Sequence, residues 1–183
     1  DSNDLRSDET LAKAVTACLG ETLRGITTGE VLDAIDLGGH DATGERYWTL
    51  DPIDGTKGFL RGDHYAISLA LIEQGQVVFG IMGCPNMSTR LIDPLDSPGK
   101  NGCIFYAYKN SGSWVTADDL STSKPSLINV MSAPADKNKI RICGSVEWRH
   151  SSTNTSKKIA EHLEKESQAI QIDSQCKYSI VAR

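Results

Sequence analysis

No stretch of the 183 residues is apolar for long enough to cross a bilayer; the longest runs, near Ile67–Ile72 and Val77–Met82, are the length of a strand. Nothing at the start reads as a secretory signal, so no membrane partner is expected. Positive charge is in deficit: 19 Lys and Arg stand against 24 Asp and Glu, a formal net charge of −5. That balance argues against a nucleic-acid partner held by phosphate attraction. Paired cysteine spacing is also missing. The five cysteines, Cys18, Cys84, Cys103, Cys143 and Cys176, are odd in number and include no CxxC. This excludes a disulfide framework and a zinc site of that spacing. The expectation is buried, reduced thiols in an intracellular, reducing compartment, with cytoplasm and organelle not separable. There is no internal repeat and no low-complexity tract.

What is present is an ordinary globular composition, 39% hydrophobic, in a length that suits one domain or slightly more. Leu11, Ala14, Val15, Cys18 and Leu19 recur at helical spacing and predict a helix over about Asp8 to Leu23. Thr28 is positioned to cap a second one. β-like runs follow at Tyr47–Leu50, Tyr65–Glu73, Gln76–Met82, Cys103–Lys109 and Ser113–Thr116, the middle pair around Gln74-Gly75 and the last around Asn110-Ser111-Gly112. After Asp136 the order changes to strand (Lys139–Cys143), helix (Thr155–Glu166), strand (Ala169–Ile172) and a further helix start in Ser174–Arg183, as in a parallel α/β layer. The expected fold is therefore mixed α/β, with residues 1–137 as one α+β domain and 138–183 as the opening of an α/β domain.

The segment with chemical content is Trp48-Thr49-Leu50-Asp51-Pro52-Ile53-Asp54-Gly55-Thr56-Lys57-Gly58-Phe59. Asp51 and Asp54 end a strand three residues apart, and Pro52 fixes the backbone between them. Two carboxylates this close repel unless a cation lies between them. Hard oxygen donors of this kind, with the Ile53 carbonyl as a third, suit Mg²⁺. Gly55-Thr56 starts a predicted helix whose free N–H groups favour a phosphate. On spacing alone, a metal site and a plain capped turn remain equally open, because Asp-Pro-x-Asp also serves as a turn. Asp93-Pro94-Leu95-Asp96 repeats the spacing without a following Gly-Thr and reads as loop.

Trp48–Phe59 resembles the signature of the magnesium-dependent, lithium-sensitive phosphatase superfamily that includes the inositol monophosphatases. Lys57–Gly62 and Gly83-Cys84-Pro85-Asn86 are similar to its 3′(2′),5′-bisphosphate nucleotidase branch. So are Ser145-Val146-Glu147 with His150-Ser151-Ser152, and Asp173–Tyr178. The resemblance implies a layered α-β-α-β-α sandwich of the sugar-phosphatase type, incomplete at both ends. It implies a Mg²⁺-dependent phosphomonoesterase acting on a small-molecule nucleotide bisphosphate, 3′-phosphoadenosine 5′-phosphate, to give AMP and phosphate. By position, Asp51, the Ile53 carbonyl and Asp54 would bind Mg²⁺. Gly55 and Thr56 would meet the scissile phosphate, and Asp54 and Thr56 would be the catalytic pair, Thr56 steering the attacking water with a carboxylate partner. His150, Ser174 and Lys177 would hold the nucleotide.

The residues themselves leave other roles open. His150 also fits a cap beside Ser151, Ser174 an N-cap, and Lys177 a solvated charge; Arg61 and His64 read as loop lining. Trp148, Arg149, Thr153 and Asn154 depart from the family's pattern around the histidine. The family's further metal carboxylates would lie before Asp1 and after Arg183, so the sequence reads as a central slice with little or no turnover of its own. The rival readings are an inositol phosphate phosphatase and a non-catalytic truncated product or interaction module.

Overall fold

The computed structural model describes residues 2–90, 94–95, 97–117, 123–130, 138–146 and 153–183, with side chains at 153–157 excepted. The chain forms two compact units, Asp1–Gly44 and Glu45–Arg183. The expected boundary at 137/138 adjoins 131–137, which lie outside the described residues.

The first unit holds three helices: α1 (Ser2–Ser7), α2 (Glu9–Gly20) and α3 (Thr28–Leu37). Asp8 caps α2 by accepting the Leu11 N–H at 2.9 Å, so the predicted start is observed while the helix ends three residues early. Thr27 rather than Thr28 caps α3, in a reciprocal capping box with Glu30. The shift has a simple cause: Glu30 lies three residues beyond Thr27, the spacing that lets each satisfy the other's backbone N–H. The predicted apolar face of α2 is largely uncovered within this unit, Leu11 and Leu19 being exposed. Short helices meet here through small and polar groups instead. Ala12 is buried, the Thr16 and Thr28 hydroxyls lie 3.1 Å apart, and Arg6 pairs with Asp36 at 2.6 Å.

The second unit is built on a six-stranded antiparallel sheet in plain sequence order: β1 (Arg46–Asp54), β2 (Ala66–Glu73), β3 (Gln76–Cys84), β4 (Cys103–Tyr108), β5 (Gly112–Ala117) and β6 (Ser126–Ile128). The β2–β3 hairpin closes on Gln74-Gly75, both at positive φ (49° and 73°), the mirror-image turn that matches the right-handed twist of paired strands. A six-residue helix, α4 (Thr56–Arg61), interrupts the run between β1 and β2. A second sheet pairs β7 (Lys139–Gly144) with β8 (Glu166–Gln171) in parallel, with α5 (Thr153–His162) between them in sequence and α6 (Cys176–Ala182) after them. The predicted βαβα order is observed.

β8 begins at Glu166, three residues before the predicted Ala169, and α5 stops short of the predicted Glu166. Polar Glu166-Ser167-Gln168 carries no apolar signal; it becomes strand because Lys139–Arg141 supplies its pairing partners. β6 was not foreseen for the same reason, its three residues being paired by β5.

Helix α6 packs on both β3 and β7 and so lies between the two sheets. The core there joins Ala66, Cys84, Cys103 and Phe105 of the large sheet to Ile172 and Cys176, with Met87 closing one end. The opposite face of the large sheet carries an aromatic row: Phe79 lies 4.6 Å from Tyr108, and Tyr106 stacks on Trp114 at 5.5 Å between ring centroids. No helix among the described residues is long and apolar enough to cross a membrane.

Candidate metal and phosphate site

β1 runs through both aspartates rather than ending before them, and the way it does so positions them. Asp51 is opposite Ser68 and Asp54 is opposite Ala66. Two steps on β2 are matched by three steps on β1, so β1 carries one extra residue: a β-bulge at Pro52-Ile53, where Pro52 has no N–H for the ladder. In a regular strand, residues three apart point to opposite faces. Ser68 and Ala66 share a face, and directly paired residues point the same way, so the bulge turns Asp51 and Asp54 to one face. That is the face of Met82, Cys84 and Phe105, on which α6 packs. Beside it opens a cavity of about 410 Å³ lined by Thr49, Asp51, Ser68, Met82, Phe105 and Tyr178 among others.

Gly55 follows at φ +82°, a conformation that favours glycine, and starts α4. It is held there by a distant segment. A β-carbon on Gly55 would fall 2.6 Å from Ser174 Cβ, and one on Gly58 would meet the His64 carbonyl oxygen and lie 3.2 Å from Asp173 Cβ. Both glycines of the Gly-Thr-Lys-Gly run are therefore contact points for the segment between β8 and α6. The Gln175 N–H donates to Asp54 Oδ2, which leaves the other carboxylate oxygen of Asp54 for a ligand. Thr56 Oγ1 donates to the Ile53 carbonyl at 3.3 Å, so hydroxyl and carbonyl lie on the same side of the turn.

Ser174 is buried, at φ +66°, and its Oγ accepts the Cys176 N–H at 3.2 Å. The N-cap that the residue alone suggested is not formed: the cap position is Gln175, without a side-chain cap hydrogen bond, and Ser174 makes a local turn contact one residue earlier. Lys177 is half-buried; its Nζ donates to Ser145 Oγ at 3.2 Å and to the Ile172 carbonyl at 3.4 Å. It is tied to the end of β7 rather than freely solvated.

The structure thus gathers Asp51, Ile53, Asp54, Gly55, Thr56 and Ser174 around one turn, with Lys177 on the same segment as Ser174. His150 lies outside the described residues, as does the Asp93/Asp96 repeat. Among the described residues, no group of three or more His, Cys, Asp or Glu side chains is placed to hold a metal ion. The donors present are two carboxylates on one face and a backbone carbonyl between them in sequence, all hard oxygens, which suit a hard divalent cation that keeps part of its water.

Two residues of the site were not singled out as functional from the sequence. Asp173 is buried and pairs with Arg61. Arg61 also bonds Asp63 at 2.8 Å. That hydrogen bond, aided by the charge of Asp173, raises the guanidinium pKa further above its ordinary value. Nearby, Asn86 Nδ2 donates to the Asp63 carbonyl at 2.6 Å, which gives the Pro-Asn after β3 a structural purpose. The one sequence signal was the unusual density of charge in Arg61-Gly62-Asp63-His64. The thiols of Cys84, Cys103 and Cys176 are buried. Cys84 faces Cys103 across the strands, and that contact pushes its thiol up to about 12. Contact with Cys84 and burial push Cys176 higher than its ordinary value as well.

The sequence pattern of the inositol monophosphatase family matches residues 7–183, and the chain belongs to that family. Its members are metal-dependent phosphatases. Within the family it is similar to "3′(2′),5′-bisphosphate nucleotidase 1" of Arabidopsis thaliana, at 38% identity over 198 residues covering 100% of this chain and 56% of the relative. It is also similar to "3′(2′),5′-bisphosphate nucleotidase" of Schizosaccharomyces pombe, at 36% identity over 100% of this chain and 54% of the relative. The chain spans about half the length of the curated relatives it matches. Among solved structures, CysQ from Bacteroides thetaiotaomicron, described as a bacterial member of the inositol monophosphatase family, superposes with a TM-score of 0.54. That match has 19% identity and covers 85% of this chain and 60% of that one. It bears out the mixed α/β fold.

Proposed function

We propose that the natural-length protein is a phosphomonoesterase that removes the 3′-phosphate of 3′-phosphoadenosine 5′-phosphate, giving AMP and phosphate, with Mg²⁺ as its metal. The observation that carries the reading is the seating of Asp173-Ser174-Gln175 on the Asp51–Gly58 turn, through Gly55 and the Gln175 N–H. A turn rich in oxygen ligands is joined to the segment whose Ser174 and Lys177 the family's pattern assigns to the nucleotide, so one ligand with a phosphate at one end and a base at the other would span them. The identity to bisphosphate nucleotidases over the whole chain favours this substrate class over inositol phosphates.

In this reading Asp51, the Ile53 carbonyl and Asp54 hold the cation, whose bound form supplies charge for the phosphate and acidity for a water. Gly55 supplies the left-handed step that opens α4 and leaves room for Ser174 against the turn, while the backbone N–H groups at the start of α4 meet a phosphate oxygen. Thr56 orients the attacking water with its hydroxyl. An alcohol is a poor base at neutral pH, so a carboxylate must take the proton. Ser174 and Lys177 hold the nucleotide, and the family's pattern gives His150 the same role.

The experiment compares phosphate release from 3′-phosphoadenosine 5′-phosphate and from inositol 1-phosphate, with Mg²⁺ and with chelator. Preference for the nucleotide, lost with the metal, is expected. Preference for the inositol ester overturns the substrate assignment, and full activity in chelator overturns the metal assignment.

A further inference from the structure

Asp173 is a buried carboxylate with two separate obligations. One oxygen, Oδ2, pairs with Arg61 Nη2, and the other, Oδ1, accepts the Val146 N–H at 3.3 Å. Arg61 stands in the last turn of α4, the helix that begins at Thr56, and its Nε holds Asp63. The guanidinium is thus a fork with one carboxylate on each side. Its planar geometry suits this, where the single ammonium of a lysine would not serve both. Through Asp173, the fork joins the end of the metal turn to the segment that leads into α6 and to the residues just after β7.

The residues next to Asp173 are the ones that touch the turn. Ser174 rests against Gly55, and the Gln175 N–H donates to Asp54. Without Arg61, that contact would depend on one amide hydrogen bond and van der Waals packing, and Asp173 would be left buried without its countercharge. Lys177 does not replace it, because its Nζ is directed to Ser145 and the Ile172 carbonyl.

We propose that Arg61 and Asp173 form a positioning pair that holds Ser174 and Lys177 in register with the metal turn, and so sets nucleotide affinity without touching the nucleotide. The proposal rests on the nucleotidase reading above. It distinguishes Arg61 from a phosphate-binding arginine: its charge is committed to two carboxylates, Asp63 and the buried Asp173.

The test is calorimetric titration of the natural-length protein with AMP in the presence of Mg²⁺, for the wild type, Arg61→Gln, Asp173→Asn and the double variant, with melting midpoints measured alongside. Residues acting as one unit are non-additive. Each single variant is expected to bind AMP about tenfold more weakly, the size of an ordinary coupling between contacting groups, and the double variant no more weakly than either. Arg61→Lys, which keeps the pair to Asp173, recovers most of the loss. Unchanged AMP affinity in both single variants, whatever their melting midpoints, overturns the proposal and leaves a purely structural ion pair. Weakened binding in Arg61→Gln with normal binding in Asp173→Asn also overturns it, in favour of direct contact. If either neutral variant does not fold, Asp173→Glu, which keeps the charge and shifts only its reach, replaces it: weakened AMP binding is expected, and unchanged affinity overturns the proposal. A wild type that neither binds AMP nor releases phosphate from 3′-phosphoadenosine 5′-phosphate overturns the nucleotidase reading itself, a different result from a wild type that binds while its variants bind equally well.

Discussion

The turn Asp51–Arg61 and the segment Asp173–Lys177 meet at the same place but are made in different ways. The turn is local. Its bulge sits at Pro52-Ile53, its left-handed step at Gly55, and its helix in the residues that follow, all within a dozen positions. The segment has no comparable local design. Ser174 sits at positive φ with a side chain that does not favour it, and the segment is held by Arg61, Asp54 and Val146, none of them sequence neighbours. A site assembled from one self-determined part and one dependent part responds differently to damage on the two sides.

The largest effect is expected on the turn. Asp54→Asn keeps an oxygen to accept the Gln175 N–H and removes only the charge. Phosphate release by the natural-length protein should fall at least about 100-fold, since loss of partners one shell further from a metal already costs 10–100-fold. The melting midpoint should move little, which separates ligand loss from unfolding. An active Asp54→Asn enzyme would mean that the turn is only a scaffold.

The next effect is at the contact itself. Gly58→Ala places a β-carbon against the His64 carbonyl and Asp173, an overpacking that costs about 1–3 kcal/mol. A melting curve should show a midpoint several degrees lower. An unchanged midpoint would mean that the segment yields freely and that its seating is loose.

Smaller effects come from the thiols. Cys18 is exposed, whereas Cys84, Cys103 and Cys176 are buried. A thiol reagent at neutral pH should label Cys18 quickly and these three only on unfolding, with mass spectrometry locating the adducts. Fast labelling of Cys176 would show that the start of α6 opens readily.

The smallest effect is on alkaline stability. The thiols of Cys84 and Cys176 titrate higher in the folded chain than the ordinary value of 9.0. Above that pH the unfolded chain has lost protons that the folded chain still holds, so stability is present below about pH 9 and declines as pH rises past it. Replacing Cys84 with Ala should flatten that decline in a series of melts across pH; an equal decline would assign it to other groups.

Much of the turn was legible from the residues. Asp51, Ile53, Asp54, Gly55 and Thr56 fall within six residues, and their spacing marks them as candidates while leaving a metal site and a plain turn equally open. The bulge was not, because strand continuation depends on what pairs with it: only Ser68 and Ala66 reveal that Asp51 and Asp54 share a face. Arg61 read as loop lining because its partner lies 112 positions away. β8 and β6 were underestimated because their polar residues become strand through a neighbour's hydrogen bonds rather than through their own hydrophobic pattern. The caps at Asp8 and Thr27 illustrate the opposite case, an interaction three residues long that a sequence can nearly specify by itself.

By itself, the sequence determined the family, the hairpins, the βαβα order and the candidate oxygen ligands of the turn, because each depends on chemistry within a few residues or on a pattern that repeats along a strand. Tertiary structure decided the rest. It determined which face the two aspartates share, why Gly55 and Gly58 are glycines, and why Arg61 carries a charge. Those questions are settled by what approaches from far along the chain, and burial makes the approach count: once Asp173 is out of water, its charge must be answered by the residue that the fold brings to it.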